Sequence, residues 1–448
     1  MQLAHFRSRP FGALAADARR RRGPAALGLW LLLLAAFALG GSARGDVVGL
    51  VLLRPFAVAM LGLGLVGLTR ADIRSHRFAF SIAAIMVAWL VLQLVPLPPM
   101  LWRGLPGRGV VAAIDDAAGL QGSWRAISLS PDGTRNALFA LSVPLAALVL
   151  GARLDRRERQ RLLPLVMAIA ATSAVMGVFQ TLNAPSGGLI PAGLFANRNH
   201  QALLLAMLLP MLALRAQLAA TPTSRALALV ATLPLLPLLL VTGSRSGMVC
   251  GVLALASMPL VGRGVRLRTL AAGLAMVAMM LAMTVSLGRG LAWDRLSATT
   301  PVDELRIEIV PVLLPLLRDQ LPLGAGAGSF AKVYQMDEPD RLLSPRYVNH
   351  AHDDWLEVLV TDGFVAAALL LAAVTAFGVA AFRAWRPRQA FTAEIGFARL
   401  GLVLVLLCGF ASLGDYPLRT PALACLFVVA TLWAAGARSA PDLARPSQ

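Results

Sequence analysis

Long apolar stretches run through almost the whole chain, separated by short arginine-rich or glycine-bearing segments. Runs long enough to cross a bilayer lie at about 24–40, 47–68, 78–95, 136–151, 162–182, 200–219, 226–242, 247–261, 269–287, 356–382, 397–413 and 418–435, twelve in all. Backbone in hydrocarbon has no water to bond with, so each run is expected to be helical. Two stretches interrupt the pattern, at about 96–135 and 288–355. The second carries 10 of the chain's 23 acidic residues and its only lysine, Lys332. Within it, Asp303 to Gln320 has charged flanks and a short apolar centre, which suit a helix lying along the membrane surface. Pro311 and Pro315 argue against a straight spanning helix there. The prediction is an all-α polytopic membrane protein of about twelve transmembrane helices, with a long extracytoplasmic loop between the ninth and tenth. Residues 1–448 form a single membrane domain, and no soluble domain is expected.

Composition agrees with the pattern. Hydrophobic residues make up 58% of the chain and charged residues 14%, and the mean hydropathy is +0.71. A soluble protein could not hide so much apolar surface. The net charge of +18 is not the footprint of a nucleic-acid binder, because it is distributed by side of the membrane. With the N-terminus cytoplasmic, the segments 1–23, 69–77, 152–161, 215–225, 262–268, 383–399 and the tail from 436 hold 25 arginines and 6 acids, a net of +19. The remainder nets −1. That is the positive-inside rule, which sets orientation and needs no basic ligand. Gly41-Ser42-Ala43 after the first run faintly resembles a cleavage site. An uncleaved first helix is expected, because twelve spans return the C-terminus to the cytoplasm. Cys250, Cys408 and Cys425 lie in apolar runs and read as small core residues without disulfide or metal spacing.

Candidate chemistry gathers at the outer ends of the spans. Asn349-His350-Ala351-His352-Asp353-Asp354-Trp355 closes the long loop and holds two of the chain's five histidines. If the helix has begun there, the rings of His350 and His352 diverge and make a poor metal pair; no other metal-ligand spacing supports a metal site. A histidine titrating near neutrality suits proton abstraction from a hydroxyl. Asp353 or Asp354 could orient the ring, or both could simply favour a helix N-terminus. On the same side, Phe195–Gln201 opens the sixth span and Thr242–Gly247 forms a hairpin between the seventh and eighth. Each brings one arginine, Arg198 or Arg245, whose planar fork suits phosphate oxygens. Asn197 or Ser246 could cap the following helix, whose exposed N–H groups also favour an anion. His200 reads as either structural or a phosphate contact. The turn Pro322–Phe330, PLGAGAGSF, has glycines that permit positive φ or close backbone approach. It lacks the spacing and preceding strand of a dinucleotide fingerprint.

These elements, in this order, resemble the O-antigen ligase/polymerase family of Wzy- and WaaL-type membrane glycosyltransferases. The shared block covers about residues 180–370: the Phe195–Gln201 segment, the Thr242–Gly247 turn, Arg306, the glycine-rich turn and the His-x-His segment. The resemblance implies a glycan donor linked through diphosphate to undecaprenol, at the periplasmic face of the bacterial inner membrane. Arg198 and Arg245 would bind the diphosphate, and His352 would be the general base. Asn197, His200, Arg306, His350 and Asp353 would line the substrate site, with no metal and no cofactor. The acceptor would be a sugar hydroxyl on lipid A core or on a growing glycan, among membrane lipids and without nucleic acid. In the ligase pattern a histidine is followed by Asn, Ser or Gln, then nine residues and a glycine. Here His352, Asp353 and Gly363 take those places, which selects His352 over His350. Asp353 departs from the pattern, and Gly363-Phe364-Val365-Ala366-Ala367 lacks the ligase's GxxTG ending. An O-antigen or exopolysaccharide polymerase is the alternative. A transporter or flippase, from another class, would carry ionisable groups or broken helices near the bilayer midplane.

Overall fold

The computed structural model describes residues 11–183, 191–262, 308–343, 347–386 and 390–438, with the isolated positions 275, 278 and 282. Arg306 and nearly all of the run 269–287 lie outside the described residues. The described chain is overwhelmingly helical. Among the described residues six helices are long and apolar enough to cross a membrane: Gly49–Val66, Pro131–Arg153, Arg156–Leu182, Pro222–Val241, Asp354–Ala384 and Ala393–Ala411. Shorter apolar helices span Gly23–Leu39, Arg77–Gln93, Arg245–Val261 and Pro421–Ala434. The chain is a multi-pass membrane protein.

The centre of the molecule is the helix Arg198–Gln217. Every residue from His200 to Leu214 is buried, as expected of a helix that is apolar on all sides. It packs on Arg245–Val261, Ala393–Ala411 and Leu162–Leu182. Gly247 permits the closest of these approaches, because a Cβ there would collide with the Ala202 methyl. The helix Asp354–Ala384 is different. Beyond its first turns it shows Phe364, Leu371, Val374 and Phe382 on its exposed surface, the face that a bilayer covers.

A second, smaller core stands apart from the main one. Ile309, Leu313 and Leu316 join Phe330, Val333, Tyr334, Val348, Ala351 and Val360. The apolar part of the sequence expected along the membrane surface is seen as the helix Val310–Gln320, which buries Leu313, Leu316 and Gln320 and exposes Leu314. One face therefore completes this small core. The stretch 96–130 is also structured: Pro96–Leu97 pairs antiparallel with Arg125–Ala126.

Candidate functional site

The site begins with two helix N-termini brought side by side. Asn197 caps Arg198–Gln217, its side chain accepting from the Asn199 N–H at 2.8 Å. Ser244, not Ser246, caps Arg245–Val261, accepting from the Gly247 N–H at 2.9 Å; Ser246 lies one place inside the helix. The Ser244 hydroxyl also donates to Asn199 Oδ1 at 2.7 Å, so one hydrogen bond ties the two caps together. Arg198 and Arg245 are the first residues of these helices, half-buried and exposed respectively. Two positive dipole ends, each opening on an arginine, thus share one neighbourhood, which favours an anion.

A buried carboxylate holds this pair of ends to the rest of the outer side. Asp415, 2% exposed, accepts from Asn197 Nδ2 at 3.0 Å and Asn199 Nδ2 at 2.5 Å. His200 Nε2 lies 3.7 Å from it. These donors replace the water that a buried carboxylate would otherwise need. His200 is itself buried, with Nδ1 3.0 Å from the Thr420 hydroxyl. Its surroundings are those of a supporting residue.

The histidine segment is irregular rather than helical, with bends at His350 and His352. Val348 and Ala351 are buried in the small core, and the following helix starts only at Asp354. The rings of His350 and His352 consequently do not diverge. Both lie beside the Tyr416 ring, at 4.5 and 5.2 Å between centroids, with His200 on the same tyrosine at 5.7 Å. His352 has φ of 57°, the only positive value at a non-glycine position among the described residues. Such a backbone costs of order 1–3 kcal/mol and must be held by its surroundings. The hold is visible on both sides: the Ala351 N–H donates to Glu357 Oε2 at 2.8 Å, and Asp353 caps the helix through Leu356 N at 3.0 Å.

Both aspartates are engaged with other groups. Asp353 is the cap, and burial is the main cause that lifts its carboxyl above the ordinary range. Asp354 accepts from Arg419 Nε at 2.7 Å. Glu357, one turn further on and fully buried, holds His350. His350 Nδ1 lies 3.0 Å from its Oε1, and Arg419 Nη2 lies 3.1 Å from the same oxygen. The helix is anchored further by Trp355 Nε1, which donates to the Gly409 carbonyl at 2.9 Å.

The glycine-rich turn sets where this short helical stretch ends. Gly324, Gly326 and Gly328 all adopt positive φ. The Ala325 and Gly326 N–H groups donate to the Val360 and Thr361 carbonyls at 3.0 and 2.8 Å, and Phe364 N–H donates to Pro322 O at 2.9 Å. The Asp354 helix breaks at Gly363, with φ 58° and ψ −138°. A Cβ at Gly363 would collide with the Pro322 carbonyl. Arg108 fastens the 96–130 stretch to the same turn, donating to Gln320 Oε1 at 2.9 Å and Gly324 O at 3.0 Å. Burial pulls its guanidinium down to about 10.

The predicted residues Asn197, Arg198, His200, Arg245, His350, His352 and Asp353 thus all fall in one neighbourhood, linked through Asp415, Tyr416 and Arg419. Arg306 lies outside the described residues. Sequence reasoning missed Glu357, Asp415, Tyr416, Arg419 and Ser244. A signal for three of them was present. Gly414–Arg419 is a short outer turn with two charges and an aromatic ring, the same kind of segment as Thr242–Gly247, but between two apolar runs it looks like a mere boundary.

No curated protein matches this chain. The model of the O-antigen ligase family matches residues 228–371, which include Arg245, the glycine-rich turn, both histidines and Gly363 but not Arg198 or Gly414–Arg419. That match supports the chain's membership of the O-antigen ligase family, as the resemblance implied.

Proposed function

We propose that the protein is a membrane glycosyltransferase that moves a glycan from undecaprenyl diphosphate to an acceptor sugar hydroxyl at the periplasmic face of the inner membrane. The observation that carries this reading is the pairing of the Arg198 and Arg245 helix ends, through Ser244 and Asn199, in the same neighbourhood as the histidine group around Tyr416. The topology that goes with it has twelve spans, both termini cytoplasmic and the 288–355 loop periplasmic. In this mechanism the two guanidinium groups and helix ends hold the donor diphosphate and stabilise it as it leaves. His352 takes the proton from the acceptor hydroxyl as the oxygen attacks the anomeric carbon. The C–O bond to the diphosphate breaks on the opposite face, which inverts the anomeric centre. The leaving diphosphate is already a stable anion, so charge stabilisation serves it better than protonation. His350, held by Glu357, and Asp353, as the cap, position His352.

Ligation, with lipid A core as acceptor, is the first reading and polymerisation of lipid-linked glycan the second; the match to the family fits both. Purified protein, lipid-linked glycan and the two acceptors test both readings. Glycan joined to lipid A core supports ligation, and lengthened lipid-linked chains support polymerisation. Normal transfer by His352→Ala, Arg198→Ala and Arg245→Ala alike, or a retained anomeric configuration, would reject the mechanism.

A further inference from the structure

A cavity of about 570 Å³ lies between the helix Gly49–Val66 and the span Pro131–Arg153. It is on the same side of the molecule as the candidate site. The Ala196 N–H, just before the Asn197 cap, donates to the Gly41 carbonyl at 3.0 Å, and the chain then runs from Gly41 to Gly45 and Asp46 at the cavity edge. The wall is mainly apolar, with Val47, Leu50, Val51, Val58 and Phe139. Two polar atoms of its wall are left unsatisfied. Arg54 Nε and the Ser142 hydroxyl both line the cavity, and both are buried without a hydrogen-bond partner among the described residues. Ser142 is only 8% exposed. Pro55 has no N–H to donate to the Val51 carbonyl, one turn earlier in the same helix. Asp46 at the rim pairs with Arg44 at 2.6 Å, which leaves the Arg54 charge unmatched among the described residues.

An unmatched arginine in an apolar helix calls for an anion that reaches the bilayer interface. We propose that this cavity is a binding site for one glycerophospholipid, its phosphodiester on Arg54 and Ser142 and an acyl chain along the exposed flank of Val51 and Val58. Those two valines lie seven residues apart, on the same face as Pro55. Charge decides between the lipids available at this surface. One guanidinium matches the single negative charge of a phosphodiester, whereas a diphosphate is better served by two arginines, as at Arg198 and Arg245. The proposal rests on the chain being embedded in a membrane and not on its transferase reading.

Delipidated protein in detergent, titrated with phosphatidylglycerol and followed by native mass spectrometry and thermal unfolding, tests the site. The wild type is expected to retain one phospholipid preferentially and to unfold at a higher temperature when it is bound. Arg54→Leu suits the bilayer and should weaken this retention by about tenfold or more, as expected for loss of a charged hydrogen bond. Ser142→Ala, which changes volume little, should weaken it by a smaller factor, so the test survives if Arg54→Leu fails to fold. Diacylglycerol and inorganic phosphate should neither bind nor stabilise. Undiminished retention in both variants would overturn the proposal, as would equal binding of diacylglycerol. Preferential, Arg54-dependent binding of farnesyl diphosphate would also overturn it and assign the cavity to the polyprenyl donor.

Discussion

Glu357 and Arg419 show how much of this site depends on residues that touch no proposed substrate. Arg419 contacts two buried carboxylates, Asp354 at 2.7 Å and Glu357 at 3.1 Å. Arg419→Ala would strand both, and losing one partner of a buried ionic cluster costs about 3–5 kcal/mol. Thermal unfolding of the purified variant should register that loss, and an unchanged midpoint would show that the cluster is not buried as described. His352→Ala should instead leave stability little changed, because alanine keeps the Cβ that the left-handed backbone disfavours. Its glycan transfer should fall by about 10²–10⁴, the usual contribution of a positioned base. Arg198→Ala and Arg245→Ala should each lower transfer by about 10²–10³, with the protein still in the membrane. Measuring rate and abundance together separates these two kinds of residue.

The elements explain a spacing that the sequence shows without a reason. His352 is followed by a cap at Asp353, a short helix and the break at Gly363. In this chain the place after the histidine is thus a helix cap, where Asn, Asp and Ser are near equivalents. Asp353, a departure from the pattern as a sequence, is conservative as a structure. Its carboxyl is raised by burial, so the fold favours the neutral form. That contribution is present below the ordinary carboxyl range and is lost as pH rises through the raised value. Asp353→Asn keeps the cap and removes the ionisation, so its stability relative to wild type should improve as pH rises towards neutrality. A series of unfolding midpoints across that range checks the sign. Gly363→Ala should destabilise by about 1–3 kcal/mol or more from backbone conformation alone, before its collision with Pro322 is counted.

Much of this was legible in the chain. The apolar runs announced the helices, and the outer polar motifs announced Asn197, Arg198, Arg245 and the histidines, because charge at a membrane surface stands out against an apolar background. Glu357 was not legible. As the second residue of an apolar run it reads as part of a span, and only the docking of Arg419 from sixty-two positions away gives it a role. The small core was hidden for the same reason, since its members come from 309–360 without a common period.

At the scale of the whole molecule, the orientation remains a matter of arginine placement, and it can be tested directly. The native thiols Cys250, Cys408 and Cys425 are all buried, so single cysteines placed on the surface should label over a low background. With an impermeant maleimide on intact cells, Tyr347→Cys should label from outside and Arg225→Cys should not. Both positions are exposed in the fold. The reverse pattern would invert the topology and move the histidines to the cytoplasm.

The hydrogen bond between Ser244 and Asn199 joins a residue inside the family-matched block, 228–371, to one outside it. Asp415, Tyr416 and Arg419 stand outside the block as well. The block is therefore not a transplantable module. A chimera that exchanged it alone between two relatives would inherit one arginine and both histidines from one parent. The other arginine, the bridging carboxylate and the ring between the histidines would come from the other parent. Such hybrids should work only where both parents agree on the seam, so acceptor preference should pass between relatives with the outer turns and helix ends together.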